Sequence, residues 1–186
     1  LSSSQNAYLF QLDIYGNVDM SKAPTLGSFK VNGTKYEAAD IFEEQNDGTN
    51  TAKVEISKSE SMISETNPLT EIEADNGSIK STTYETKNDT TVATIIVEAN
   101  SGQTIYKTTF VFKPDYTLTY YNTDGTVLGT QTVEKDAKID TFAKTESDVT
   151  VADGKKFRGW CVSATGGRKF TTAEVITANT NVYALV

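Results

Sequence analysis

The sequence predicts an all-β chain laid out as two small layered modules in tandem. Three observations carry that expectation. Apolar and polar residues alternate with period two in run after run, and no segment longer than about ten residues holds a helical period. Thr, Val, Ile and Tyr, which fit a pleated and half-buried surface, are abundant. A single break, Pro114-Asp115, separates two sets of such runs. Proline cannot donate to a ladder and biases the residue before it towards extended geometry, so it makes a short, stiff hinge. The expected modules are residues 1–113 and 114–186.

The first module reads as strands at Ala7–Tyr15, Leu26–Asn32, Thr51–Ser57, Leu69–Ala74, Ser78–Tyr84, Thr91–Ala99 and Thr104–Lys113. Between them lie Asn46-Asp47-Gly48, Asp75-Asn76-Gly77, Lys87-Asn88-Asp89 and Asn100-Ser101-Gly102. Residues that tolerate φ > 0 between alternating runs signal hairpins. Short strands at this spacing suggest a sandwich. In the last strand Tyr106, Thr108 and Phe110 share one face, and Ile105, Lys107 and Thr109 the other, as suits one covered and one wet side. Ser59–Pro68 reads as loop.

The second module reads as strands at Tyr116–Asn122, Val127–Lys135, Lys156–Ser163 and Asn181–Val186. Thr123-Asp124-Gly125 turns the first hairpin, and Thr172–Ile176 is expected to make one helical turn. About 70 residues without a disulfide or metal make a marginal domain, because small bodies bury a lesser share of their surface. Leu1–Gln5 reads as a polar tail or processed end, and a final strand at Val186 suggests that the native protein continues.

The composition narrows the function. Over 186 residues the net charge is −8, which argues against nucleic acid as a partner. No polybasic segment flanks an apolar run, and the densest apolar stretch, around Ala93–Val97, is only of strand length, so no membrane insertion is expected. Cys161 is the only cysteine, which rules out an intrachain disulfide, and it reads as a small buried hydrophobe.

From Tyr116 onwards the pieces "LTYYNTDGTVLGTQTV", "GKKFRGWCVSATGGRKF" and "EVITANTNVYALV" resemble the internalin-type B-repeat family of bacterial surface and secreted proteins. The position after Trp160, commonly aromatic in that family, is Cys161 here, and Phe142–Val151 is longer and more polar than usual. Residues 7–113, through "PTLGSFKVNGTKYEAADIF" and "TVATIIVEANSGQTIYKTTFVF", resemble the immunoglobulin-like modules of Bacteroidetes polysaccharide-degrading enzymes. The resemblance implies an immunoglobulin-like β-sandwich followed by a small B-repeat-like, β-grasp-like module. The tandem is similar to the region preceding the catalytic β-helix of secreted pectate lyases and pectin esterases. That likeness implies a secreted or cell-surface bacterial protein whose catalytic domain, in the same polypeptide, acts on plant cell-wall pectin.

The chemistry left to these residues is narrow. The absence of histidine removes imidazole bases, Ser-His-Asp and Cys-His catalysis and histidine metal ligation, and one cysteine removes thiolate zinc sites. A glycosidase needs two carboxylates about 5–10 Å apart across a cleft; 25 acidic residues leave such a pair open, though two small sandwich-like modules rarely form the cleft. Asn122–Gly125 and Asn46–Gly48 have calcium-loop composition without the length, and read as turns. Asp89-Thr90-Thr91 resembles a short O-glycosylation motif of Bacteroidetes exported proteins, and reads equally as a loop end. The expectation is no catalytic residue, no metal and no cofactor.

One local anomaly stands out. Lys155, Lys156, Arg158, Arg168 and Lys169 lie within fifteen residues that contain no acid, in an acidic chain, and Trp160 lies among them. Cations for uronate carboxylates and an aromatic face for sugar stacking are what a pectin-binding surface needs. The bland alternative puts Trp160 in the core and leaves the cations to solvate a hairpin. Tyr120 and Tyr121 are adjacent on a strand, so one faces in, and the outward one is a second candidate platform. These eight residues form the candidate carbohydrate site. The rival reading is a spacer or adhesion module with no glycan ligand.

Overall fold

The computed structural model describes residues 21–186, so the expected strand Ala7–Tyr15 lies outside the described residues. The chain divides into two compact units. One comprises residues up to Val54 together with Met62–Val111, and the other comprises Glu55–Ser61 together with Phe112–Val186.

The first is an immunoglobulin-like sandwich. Its elements in chain order are β1 (Thr25–Val31), β2 (Thr34–Glu37), α1 (Ala38–Ile41), β3 (Glu43–Glu44), β4 (Asn50–Ile56), β5 (Thr70–Asn76), β6 (Ser78–Lys87), β7 (Thr90–Ala99) and β8 (Gly102–Phe112). They form a three-stranded sheet of order β2-β1-β5 and a five-stranded sheet of order β3-β4-β8-β7-β6. The alternation along β7 and β8 converts directly into burial: Thr91, Ala93, Ile95 and Val97 point in, as do Tyr106, Thr108 and Phe110. The opposing sheet supplies Leu26, Phe29 and Val31. Phe42 locks the two layers, edge-on to Phe29 at 6.3 Å and to Tyr106 at 5.1 Å. The Tyr106 hydroxyl accepts a hydrogen bond from the Leu26 amide at 3.2 Å.

Two turns differ from the sequence expectation. Asn32-Gly33, both at positive φ, closes a two-residue hairpin between β1 and β2, a strand the alternation is too short to reveal. Asp75-Asn76-Gly77, expected as a hairpin, is instead a corner at which the chain leaves one sheet (β5) for the other (β6). A Cβ on Gly77, at φ +95°, would lie 2.4 Å from the Glu98 carbonyl oxygen, so the corner needs glycine for close backbone approach and not only for turning.

The second unit contains β9 (Asp115–Tyr121), β10 (Val127–Glu134), a 3₁₀ turn at Glu146–Asp148, β11 (Gly159–Cys161), β12 (Lys169–Phe170) and β13 (Thr180–Leu185). The sheet order is β10-β9-β13-β11-β12, with β9 and β13 parallel at its centre. Asn122–Thr126 turns the β9–β10 hairpin, and the Asp124 carboxylate accepts hydrogen bonds from the Thr126 amide and hydroxyl. Leu118, Tyr120, Val133, Ile139, Trp160, Phe170, Ile176 and Val182 make the core, and Phe142 and Phe157 pack against it. The segment Glu55–Ser61 is tied into this unit by Lys135–Glu55 at 2.6 Å, Lys58–Asp115 at 2.5 Å and the Lys58 amide to Glu134 at 2.7 Å.

Two expectations here require correction. The strand expected at Lys156–Ser163 shortens to Gly159–Cys161, because Gly159 stands at φ +121° and the chain turns away again at Ser163–Gly166. No helical turn forms at Thr172–Ile176. Glu174 closes a turn onto Thr171, Val175 bridges Lys138, and the Ile176 amide bonds Ala137, so extended pairing wins over a short helix without a nucleus.

Candidate carbohydrate-binding surface

The eight candidate residues separate into two that the fold buries and six that it leaves outside the core. Trp160 is 1 % exposed and Tyr120 is 0 % exposed, so neither is a surface platform. On β9, Leu118 and Tyr120 share the inner face with Trp160 of β11, which is set opposite Ala184 of β13. Trp160 is edge-on to Tyr120 at 4.8 Å and to Phe157 at 5.3 Å, and its indole N–H donates to the Lys144 carbonyl at 3.2 Å. The Tyr120 hydroxyl donates to Gln131 and accepts from the Ala143 amide at 3.2 Å. Burial pushes the Tyr120 phenol above its ordinary pKa, with the Ala143 N–H opposing that rise. Both polar handles are therefore satisfied inside the unit, which is how large aromatics are held in small cores.

The cations lie on the surface. Lys155, Lys156, Arg158, Arg168 and Lys169 are all exposed. Arg168 is committed to an ion pair with Glu174. The other four form no ion pair among the described residues. They therefore keep their charge available to an anion.

Tyr121 is on the outer face, half-buried, as strand alternation requires once Tyr120 is inside. It does not stand alone. Tyr183, directly beside it on the parallel strand β13, stacks on it with ring centroids 5.0 Å apart and planes 20° from parallel. The register continues across the sheet: Val127 of β10 pairs Tyr121, Cys161 of β11 pairs Tyr183, and Lys169 of β12 pairs Cys161. One outer row thus reads Val127, Tyr121, Tyr183, Cys161, Lys169. Cys161 is sealed in it, its thiol donating to the Ser163 and Tyr183 carbonyls at 3.1 and 3.3 Å. Sequence reasoning missed Tyr183. Its alternation with the inward Val182 was visible, but the parallel pairing of β13 with β9, which brings two distant tyrosines together, was not.

Among the described residues no group of three or more Cys, Asp or Glu side chains converges as a metal site, and no helix is long and apolar enough to cross a membrane. No curated protein matches the chain. Residues 116–185, the span of the five-stranded second sheet and its loops, match the Listeria-Bacteroides repeat domain, a repeat family and not a catalytic one.

Proposed function

We propose that the chain is a non-catalytic accessory region of an exported bacterial protein that degrades polysaccharide. The repeat-type unit offers a surface to acidic plant cell-wall glycan of the pectin type, and a catalytic domain of the same polypeptide performs the reaction. The observation that supports this most is electrostatic. A chain of net −8 gathers Lys155, Lys156, Arg158 and Lys169, all exposed and without ion pairs among the described residues, on its repeat-type unit. Carboxylate-bearing sugars are the ligands whose charge-assisted hydrogen bonds such a group can satisfy.

The test is native affinity electrophoresis through gels containing polygalacturonate. Retardation of the chain, relieved by joint replacement of Lys155, Lys156, Arg158 and Lys169 with Ala, is the expected result. A second reading, a spacer without a ligand, draws on the inward Trp160 and on the Arg168–Glu174 pair, both of which spend binding-type side chains on structure. Unretarded migration through a panel of plant glycans would leave that reading standing.

A further inference from the structure

The sandwich unit holds a cavity of about 260 Å³ whose walls come from both of its layers and from α1. Leu26, Phe42 and Tyr106 make its apolar side, the two rings set edge-to-face at 5.1 Å. Thr25, Asn50 and Asp75 make its polar side. Two irregularities in the β1–β5 ladder build that polar side. The pairing steps from Thr25–Asn76 to Leu26–Ala74, which leaves Asp75 without a residue opposite, and then to Ser28–Glu73, which leaves Gly27 likewise. Such bulges re-aim the extra side chain. Here the Asp75 carboxylate lies over Gly27, where a Cβ would stand only 2.6 Å from its Oδ1. A side chain at Gly27 would displace it.

These polar groups are not spent on structure. Exposed Asp75 and the side chains of Thr25 and Asn50 form no hydrogen bond or ion pair among the described residues. Lys35, a cation whose field reaches Asp75, is paired with Glu37 at 2.7 Å. Tyr106 is only 6 % exposed, and its hydroxyl accepts from the Leu26 amide while its own hydrogen has no acceptor among the described residues. A buried donor without an acceptor is costly, so a ligand that supplies one gains most there.

We propose that this cavity binds one neutral pyranose residue. The free groups decide the class of ligand, which must accept from the Tyr106 hydroxyl and donate to the Asp75 carboxylate. An ammonium donates but cannot accept, and an anion accepts but is repelled by Asp75. Sugar hydroxyls do both. The apolar C–H face of the ring packs against half-buried Phe42. The volume falls a little below the roughly 300–1,000 Å³ of pockets that enclose drug-sized molecules, which suits one ring and not a longer segment. The site stands on sandwich residues alone and does not depend on the cations of the repeat-type unit.

The experiment uses the whole chain, isotope-labelled and followed by amide chemical shifts. The probes are the methyl glycosides of glucose, galactose, mannose and xylose, with methyl galacturonoside and propylamine as charged controls. At least one neutral glycoside should shift the amides of Leu26, Gly27, Asn50 and Asp75, with the millimolar affinity expected of a single ring. Asp75→Asn, an exposed change that keeps the shape of the side chain, should weaken that binding about tenfold. Ala39→Leu places a longer chain on an exposed lining position of α1 and should abolish it. Asn50→Ala, which leaves α1 untouched, should weaken it about fivefold, and thermal melting confirms that each variant folds. No shift at these residues with any neutral glycoside overturns the proposal. So does binding that survives Asp75→Asn and Asn50→Ala unchanged, propylamine as the tightest ligand, or methyl galacturonoside bound as tightly as its neutral counterparts. Polygalacturonate retardation is measured on the same proteins. If it persists while every neutral glycoside fails, the cavity is refuted and the cationic surface stands; if it is absent while a glycoside binds, the reverse holds.

Discussion

Replacing Trp160 with Ala separates its two possible roles, because core and platform predict opposite patterns. The side chain is almost fully enclosed, edge-on to Tyr120 and Phe157, with its N–H bonded to the Lys144 carbonyl. Truncating a buried tryptophan costs about 3–5 kcal/mol through lost transfer energy and the cavity left behind. The Lys144 carbonyl also loses its partner, adding about 1 kcal/mol if water does not reach it. Domains of this size gain only a few kcal/mol from a single core. A loss of 3–5 kcal/mol therefore takes most of the unit's stability. At about 4–8 °C per kcal/mol for 60–100 residues, the melting temperature should fall by roughly 12–40 °C. Calorimetry of the whole chain reads this as a downshifted transition, and the sandwich unit's transition serves as internal reference. Trp160→Phe, which keeps a ring among Tyr120, Phe142 and Phe157, should cost clearly less. The reasoning is refuted if Trp160→Ala melts within a few degrees of the parent. It is refuted equally if the substitution abolishes glycan binding while leaving both transitions in place.

Two further outcomes follow from the geometry. Thr108 is fully buried on β8 with no hydrogen-bond partner for its hydroxyl among the described residues, so Thr108→Val should leave the sandwich unit as stable or more stable, by up to about 1 kcal/mol, in urea titration. The Asp148 carboxyl is held below its ordinary range by the Thr145 amide and by Lys144, and Asp124 by the Thr126 hydroxyl and amide. A depressed folded pKa contributes stability above the unfolded value, near 3.9, that is lost as pH falls through the folded one. The Tyr120 phenol is raised by burial, so its contribution is present below about pH 10 and lost on going above it. The melting temperature of the second unit should therefore drop on both the acid and the alkaline side, and Tyr120→Phe should blunt the alkaline limb alone.

How far the sequence could be read depended on the range of the interactions involved. The β7–β8 hairpin was legible nearly residue by residue, because its register follows from adjacent alternation and a two-residue turn at Asn100-Ser101. The short elements were not. β12 has two residues, and β11 three, bounded by Gly159 and the Ser163 turn, and a period cannot be detected in so few positions. The Asn76-Gly77 pair shows the limit of turn chemistry: the residues signal positive φ, but whether the chain then pairs back or crosses to a second sheet depends on what the neighbouring strands leave unfilled. At the candidate site, the exposed cations were found from charge alone, since long charged side chains rarely enter a core without partners. Trp160 and Tyr120 were placed by packing that local pattern could not decide.

By itself, then, the sequence determined the all-β character of the chain, the positions of the long strands and the cluster of cations in an acidic background, all properties of near neighbours along the backbone. Tertiary structure alone decided which aromatic rings face solvent and what stands beside them. Tyr121 and Tyr183 are 62 residues apart, and they meet because β13 joins β9 in parallel, a long-range pairing set by core burial on the opposite face of the sheet.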